Sequence, residues 1–139
     1  MKSTLKEFYE DYWKYRKEIG KIHTGKDSYI PERLKAVISM IGIENDNLNI
    51  LDIGCGEGTL GMLLRQMSAN YHTHGCDISE TSIDLARQYY DKTTLFNIDV
   101  EEPRDVFGNK KFDIVVCIEV IEHLLDPQAA LEKCKYLIK

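Results

Sequence analysis

The segment Asn49–Gly58, NILDIGCGEG, constrains this chain more than any other. Ile50, Leu51 and Ile53 form a short apolar run that passes directly into Gly54, Gly56 and Gly58, and Leu60, Leu63 and Leu64 then recur at helical spacing. A strand, a glycine-rich turn and a helix in that order hold a nucleotide-like ligand. The glycines let the backbone turn sharply and approach the ligand, and the helix aims its first amides and its dipole at it. The spacing narrows the choice: a dinucleotide fingerprint reads G-x-G-x-x-G, whereas this segment reads G-x-G-x-G with Asp52 two residues before the first glycine. A carboxylate there repels a pyrophosphate and suits a cofactor that carries an ammonium and a sulfonium.

The pattern on either side of this segment differs. From Leu48 onward short apolar runs alternate with helical stretches, which signals βαβ units and a parallel sheet, hence an α/β fold. Strands are expected at about 49–53, 72–76, 94–98 and 113–118. Helices are expected at Thr59–Met67, at Glu80–Tyr90 with Ser79 as N-cap, and at Pro127–Leu137, opened by the cap Asp126 and a proline at the first helical position. Pro103 and Gly108-Asn109 make 101–111 an irregular connection with at most one short helix. Before Leu48, the aromatics Phe8, Tyr9, Tyr12 and Trp13 sit at helical spacing up to Gly20. A polar loop over 23–29 follows, then a helix from Pro31 to Gly42 and a polar turn over 44–47.

A chain of 139 residues accommodates one domain, here 1–47 as a helical cover and 48–139 as the binding core. A net charge of −5 argues against a polyanionic partner such as nucleic acid, which needs a basic face to release counterions. No run is long and apolar enough to span a bilayer, and the start, MKSTLKEFYEDYW, carries acids where a signal peptide has its apolar stretch. Cys55, Cys76, Cys117 and Cys134 show no C-x-x-C spacing and read as reduced thiols. A cytoplasmic protein is expected.

ILDIGCGEGTLG resembles motif I of the class I methyltransferases that depend on S-adenosylmethionine. The resemblance implies a Rossmann-like, mostly parallel sheet with helices on both faces and this cofactor, with Asp52, Gly54, Cys55, Gly56 and Gly58 around it. Asp77 closes the second strand in HGCDIS, where an acid takes both ribose hydroxyls, and Ile78 beside it meets the adenine. By the same resemblance Asp99 and Val100, in NIDVEE, lie near the adenine, and the backbone of Cys117 and Ile118 with the side chain of Glu119, in VVCIEV, lines the methionine end. The N-terminal helix resembles a lid, so Tyr9, Tyr12, Trp13 and Arg16 could close the site. His23 and Arg33 are further candidates for the cofactor carboxylate or the acceptor.

Glu119, Glu122 and His123 form an E-x-x-E-H set that, if helical, shares one face. Similar phrases occur in small-RNA 3′-terminal ribose 2′-O-methyltransferases, where they hold a metal with a further histidine downstream, and in small-molecule methyltransferases of ubiquinone and methionine biosynthesis, which bind none. The expectation is no metal and a small-molecule acceptor, with Glu119 or His123 as the candidate catalytic base. The resemblance, about 11–137, stops before the fifth strand and final hairpin that complete a seven-stranded sheet in family members. The fourth strand is therefore expected at a sheet edge, in a chain that is shortened or that completes its sheet by association, for instance as a homodimer.

Overall fold

The computed structural model describes residues 4–21, 30–42 and 47–139. The loop 23–29, with His23, and the turn residues 44–46 lie outside them.

Four parallel strands, β1 (Asn49–Ile53), β2 (His72–Asp77), β3 (Lys92–Leu95) and β4 (Ile114–Cys117), form one sheet in the order β3-β2-β1-β4. In register, Ile53 stands beside Cys76 on one side and Cys117 on the other, so the strands end together. The helices are α1 (Leu5–Glu18), α2 (Glu32–Ile41), α3 (Thr59–Met67), α4 (Glu80–Ala86), α5 (Pro103–Phe107) and α6 (Pro127–Leu137). Alternation along β1 distributes the core to both faces. Leu51 and Ile53 join Phe96, Phe107, Phe112 and Leu137, while Ile50 joins Leu34, Leu60, Leu63 and Leu64. Burial of β1 on both faces is the physical cause of its apolar residues Ile50, Leu51 and Ile53. Among the described residues, β4 pairs with β1 alone and so forms the expected edge, and no helix is long and apolar enough to cross a membrane.

Three boundaries depart from the sequence reading. β3 starts and stops early, at Lys92–Leu95, because Asn97 opens a turn: its carbonyl accepts the amides of Val100 and Glu101, and its side chain accepts the Asp99 amide. Phe96 and Ile98 are buried anchors of that turn rather than strand residues. α4 ends at Ala86, and the chain turns so that Tyr90 enters the core. Pro31 is the N-cap of α2 rather than its first residue.

His74 on β2 is 3% exposed, with its ring against Phe107 and Phe112. Nε2 bonds the Thr94 hydroxyl at 2.7 Å, and Nδ1 is buried without a partner. Burial, with Lys110 and Lys92 nearby, brings the imidazole down to about 4. The unfolded chain takes up a proton near 6.5 and the folded one near 4, so stability is lost as pH falls between those values, by up to about 3 kcal/mol. In urea unfolding at neutral and acidic pH, the stability of the wild type relative to His74→Gln, which does not titrate, is expected to fall by that amount, because titrations common to both proteins cancel in the difference.

Candidate functional site

The carboxyl ends of β1, β2 and β4 open into a cleft of about 610 Å³. The strand order reverses between β1 and β4, the switch point at which open α/β sheets bind ligands. β1 leads into Gly54, Gly56 and Gly58, with φ of 72°, 54° and 95°. The amides of Gly54 and Cys55 both donate to the Cys76 carbonyl, at 2.8 and 2.9 Å, which pins the loop to β2. There is no room for a side chain at two of these glycines: a Cβ on Gly54 would lie 2.3 Å from Val120, and one on Gly56 2.7 Å from the Trp13 ring.

Two buried acids stand at the strand ends. Asp77 accepts the Gly56 amide on Oδ2 and the Ser79 amide on Oδ1, each at 3.0 Å, so one carboxylate ties the glycine loop to the start of α4. Asp52 accepts the Tyr90 hydroxyl at 2.5 Å. Burial, reinforced by Asp77 and opposed by the Tyr90 hydrogen bond, pushes Asp52 up to about 7. Both acids line the cleft and, among the described residues, neither is paired with a cation, which suits a ligand bringing hydroxyls and positive charge.

α1 forms a wall of the cleft with Tyr9, Tyr12, Trp13 and Arg16. The Arg16 guanidinium lies 5.7 Å from the Tyr12 ring and 5.8 Å from that of Trp13, and its Nε is buried without a partner. A clasp that the sequence did not reveal holds this wall in place. The Glu10 carboxylate accepts the Ser79 hydroxyl at 2.6 Å, the Thr81 amide at 3.3 Å and the Thr81 hydroxyl. Those hydrogen bonds outweigh the effect of burial and hold Glu10 down at about 2. The contact spans 69 residues of sequence between side chains with no shared pattern. Removing a hydrogen-bonded carboxylate of this kind costs about 1.5–3 kcal/mol. In Glu10→Ala, α1 is therefore expected to be cleaved faster by protease, read by limited proteolysis.

The expected site residues divide. Asp52, Gly54, Cys55, Gly56, Asp77, Ile78, Ile118, Glu119, His123 and Arg33 line the cleft. Gly58 lies beneath the loop as the left-handed N-cap of α3. Val100 is 71% exposed and outside the lining, and Asp99 is also outside it, its carboxylate taking the Leu125 amide at 3.1 Å. Phe96, Asn97 and Ile98 line the cleft at that point instead, because the turn begins at Asn97 and carries the next residues away. The side chain of Cys117 faces Cys134, whose thiol, with burial, holds its proton on.

Glu119, Glu122 and His123 do not share a helical face. Glu119 is the one non-glycine among the described residues with positive φ, 54°, and a single 3₁₀ turn covers Ile121–His123. A non-glycine residue held there costs about 1–2 kcal/mol. Glu119 lies 3.5 Å from Arg33 in an exposed pair, and the His123 ring meets Tyr9 edge-on at 5.9 Å. Among the described residues no group of three or more histidines, cysteines and acids is placed to hold a metal ion.

A glycine-lined cleft at the switch point of a parallel sheet, floored by two acids, defines an α/β domain built to bind a nucleoside-type cofactor. The family described as "Methyltransferase domain" matches residues 51–139, and the chain belongs to that family. It is 30% identical over 132 residues to the ubiquinone biosynthesis O-methyltransferase of Coxiella burnetii, covering 94% of this chain and 53% of the relative. The chain thus spans about half the length of the curated relatives it matches. Two solved structures share the fold. The TehB-like SAM-dependent methyltransferase of Corynebacterium glutamicum superposes with a TM-score of 0.61 at 22% identity, over 96% of this chain and 66% of that one. The magnesium protoporphyrin IX methyltransferase of Synechocystis, solved with bound SAM, gives 0.67 at 20% identity, over 100% and 75%.

Proposed function

We propose that the chain binds S-adenosylmethionine and is the cofactor-binding part of a methyltransferase acting on a small molecule, with 48–139 as the core and 1–47 as its cover. The observation that carries this reading is Asp77, a buried carboxylate that braces the glycine loop and faces the same cleft as Asp52. The residues present fit the cofactor: Gly54 and Gly56 leave no space for side chains, the acids match its hydroxyls and ammonium, and the unpartnered Arg16 Nε suits its carboxylate. When bound, the cofactor supplies an activated methyl carbon and a neutral thioether leaving group.

The work of the chain is to position. Asp77 takes the ribose hydroxyls, Asp52 the ammonium, and Ile78 with Asn97 the adenine edge. The rings of Tyr9, Tyr12 and Trp13 exclude water from the cleft, and holding the acceptor in line contributes on the order of 7–11 kcal/mol at best. Glu119 and His123, in the strained segment after β4, are the groups that could take a proton from a hydroxyl acceptor.

The acidic net charge favours a small acceptor over nucleic acid, and four free thiols accord with a cytoplasmic protein. A homodimer through the open β4 edge is the matching quaternary reading, which light scattering tests. Calorimetry with S-adenosylhomocysteine and turnover against a panel of hydroxyl and amine acceptors test the function. Absence of binding would refute the cofactor assignment, and binding without turnover would reduce the chain to a binding module.

A further inference from the structure

Tyr90 lies behind the cleft, in the turn that follows the early end of α4. Its ring is 3% exposed and fills space that two glycines leave. A Cβ on Gly61 would stand 2.6 Å from the ring, and one on Gly75 2.8 Å from it. Neither glycine has positive φ, so the ring itself, not a backbone turn, is what excludes a side chain there.

The hydroxyl is held from two sides. It accepts the Gly61 amide at 3.1 Å, an amide of the first turn of α3, which has no intrahelical partner and no side-chain cap. With that amide donating to its oxygen, its proton is directed to Asp52 Oδ2 at 2.5 Å. One phenol therefore joins the β1 carboxylate to the helix that begins at the glycine loop.

We propose that Tyr90 is a positioning residue for the cofactor-binding carboxylate: it fixes Asp52 and presents it, ionised, to the cationic end of the ligand. This rests on the cofactor reading above. Asp52 is faced by Asp77 and Cys76 from β2, Cys55 from the glycine loop, Cys117 from β4 and Tyr90 itself, and Arg16 of α1 lines the same cleft. Burial and Asp77 favour the protonated acid, and the Tyr90 hydrogen bond opposes them. Without the hydroxyl, Asp52 holds its proton to higher pH.

Calorimetric titration of S-adenosylhomocysteine from about pH 6 to about pH 8 tests this. Wild-type affinity is expected to weaken as pH falls through about 7. Tyr90→Phe keeps the ring and its packing, and its midpoint is expected to move up by about one pH unit, with about fivefold weaker binding at neutral pH. A purely structural role would lower thermal stability and leave the midpoint in place, and that result overturns the assignment. Asp52→Asn keeps the shape of the site and is expected to flatten the profile. If it retains the wild-type profile the assignment also fails, whether or not Tyr90→Phe folds. An absence of wild-type binding at every pH overturns the cofactor reading first and this inference with it.

Discussion

Asp77→Ala is expected to weaken S-adenosylhomocysteine binding by about 100-fold or more. The carboxylate would give two charge-assisted hydrogen bonds to the ribose, each worth about 1.5–3 kcal/mol, and 100-fold corresponds to about 2.7 kcal/mol. The substitution also strands the amides of Gly56 and Ser79, which share this acceptor, so the loop that receives the ligand loses its brace. Asp77→Asn retains one acceptor oxygen and opposes the second amide with an NH₂ group, which places it between alanine and wild type. Calorimetry measures both variants, and unchanged affinity in Asp77→Ala would remove Asp77 from the site.

Gly58→Val is expected to cost about 3–5 kcal/mol of folding stability, a large share of the margin of a domain this size. Gly58 has φ of 95°, where L-residues pay about 1–2 kcal/mol and β-branched ones more. Its Cβ would also lie 2.9 Å from the Tyr89 ring and 3.0 Å from the Ala86 backbone, and backbone yields less readily than a side-chain end. Urea unfolding reads the loss.

How far the sequence carried the reading depends on how local each signal was. Motif spacing located the β1 loop and the two strand-end acids, because a strand, a turn with positive φ and a helix cap are each decided within a few neighbouring residues. The same locality misplaced the third strand end: Phe96 and Ile98 alternate like a strand, while the turn is set by hydrogen bonds of Asn97. Asp99 and Val100, which the resemblance puts near the adenine, fall in the turn that Asn97 opens. Spacing also suggested a helical face for Glu119, Glu122 and His123, where the backbone instead turns through positive φ after the edge strand.

The sequence by itself determined an open parallel sheet, a glycine loop at the end of its first strand and the positions of the acids Asp52 and Asp77, all carried by periodicity and short-range spacing. Only the tertiary structure decided how those acids are held. Glu10 reaches Ser79 across 69 residues and Tyr90 reaches Asp52 across 38, through side chains at positions that no repeat or spacing distinguishes. Such contacts depend on where whole elements come to rest, and that follows from packing both faces of the sheet at once.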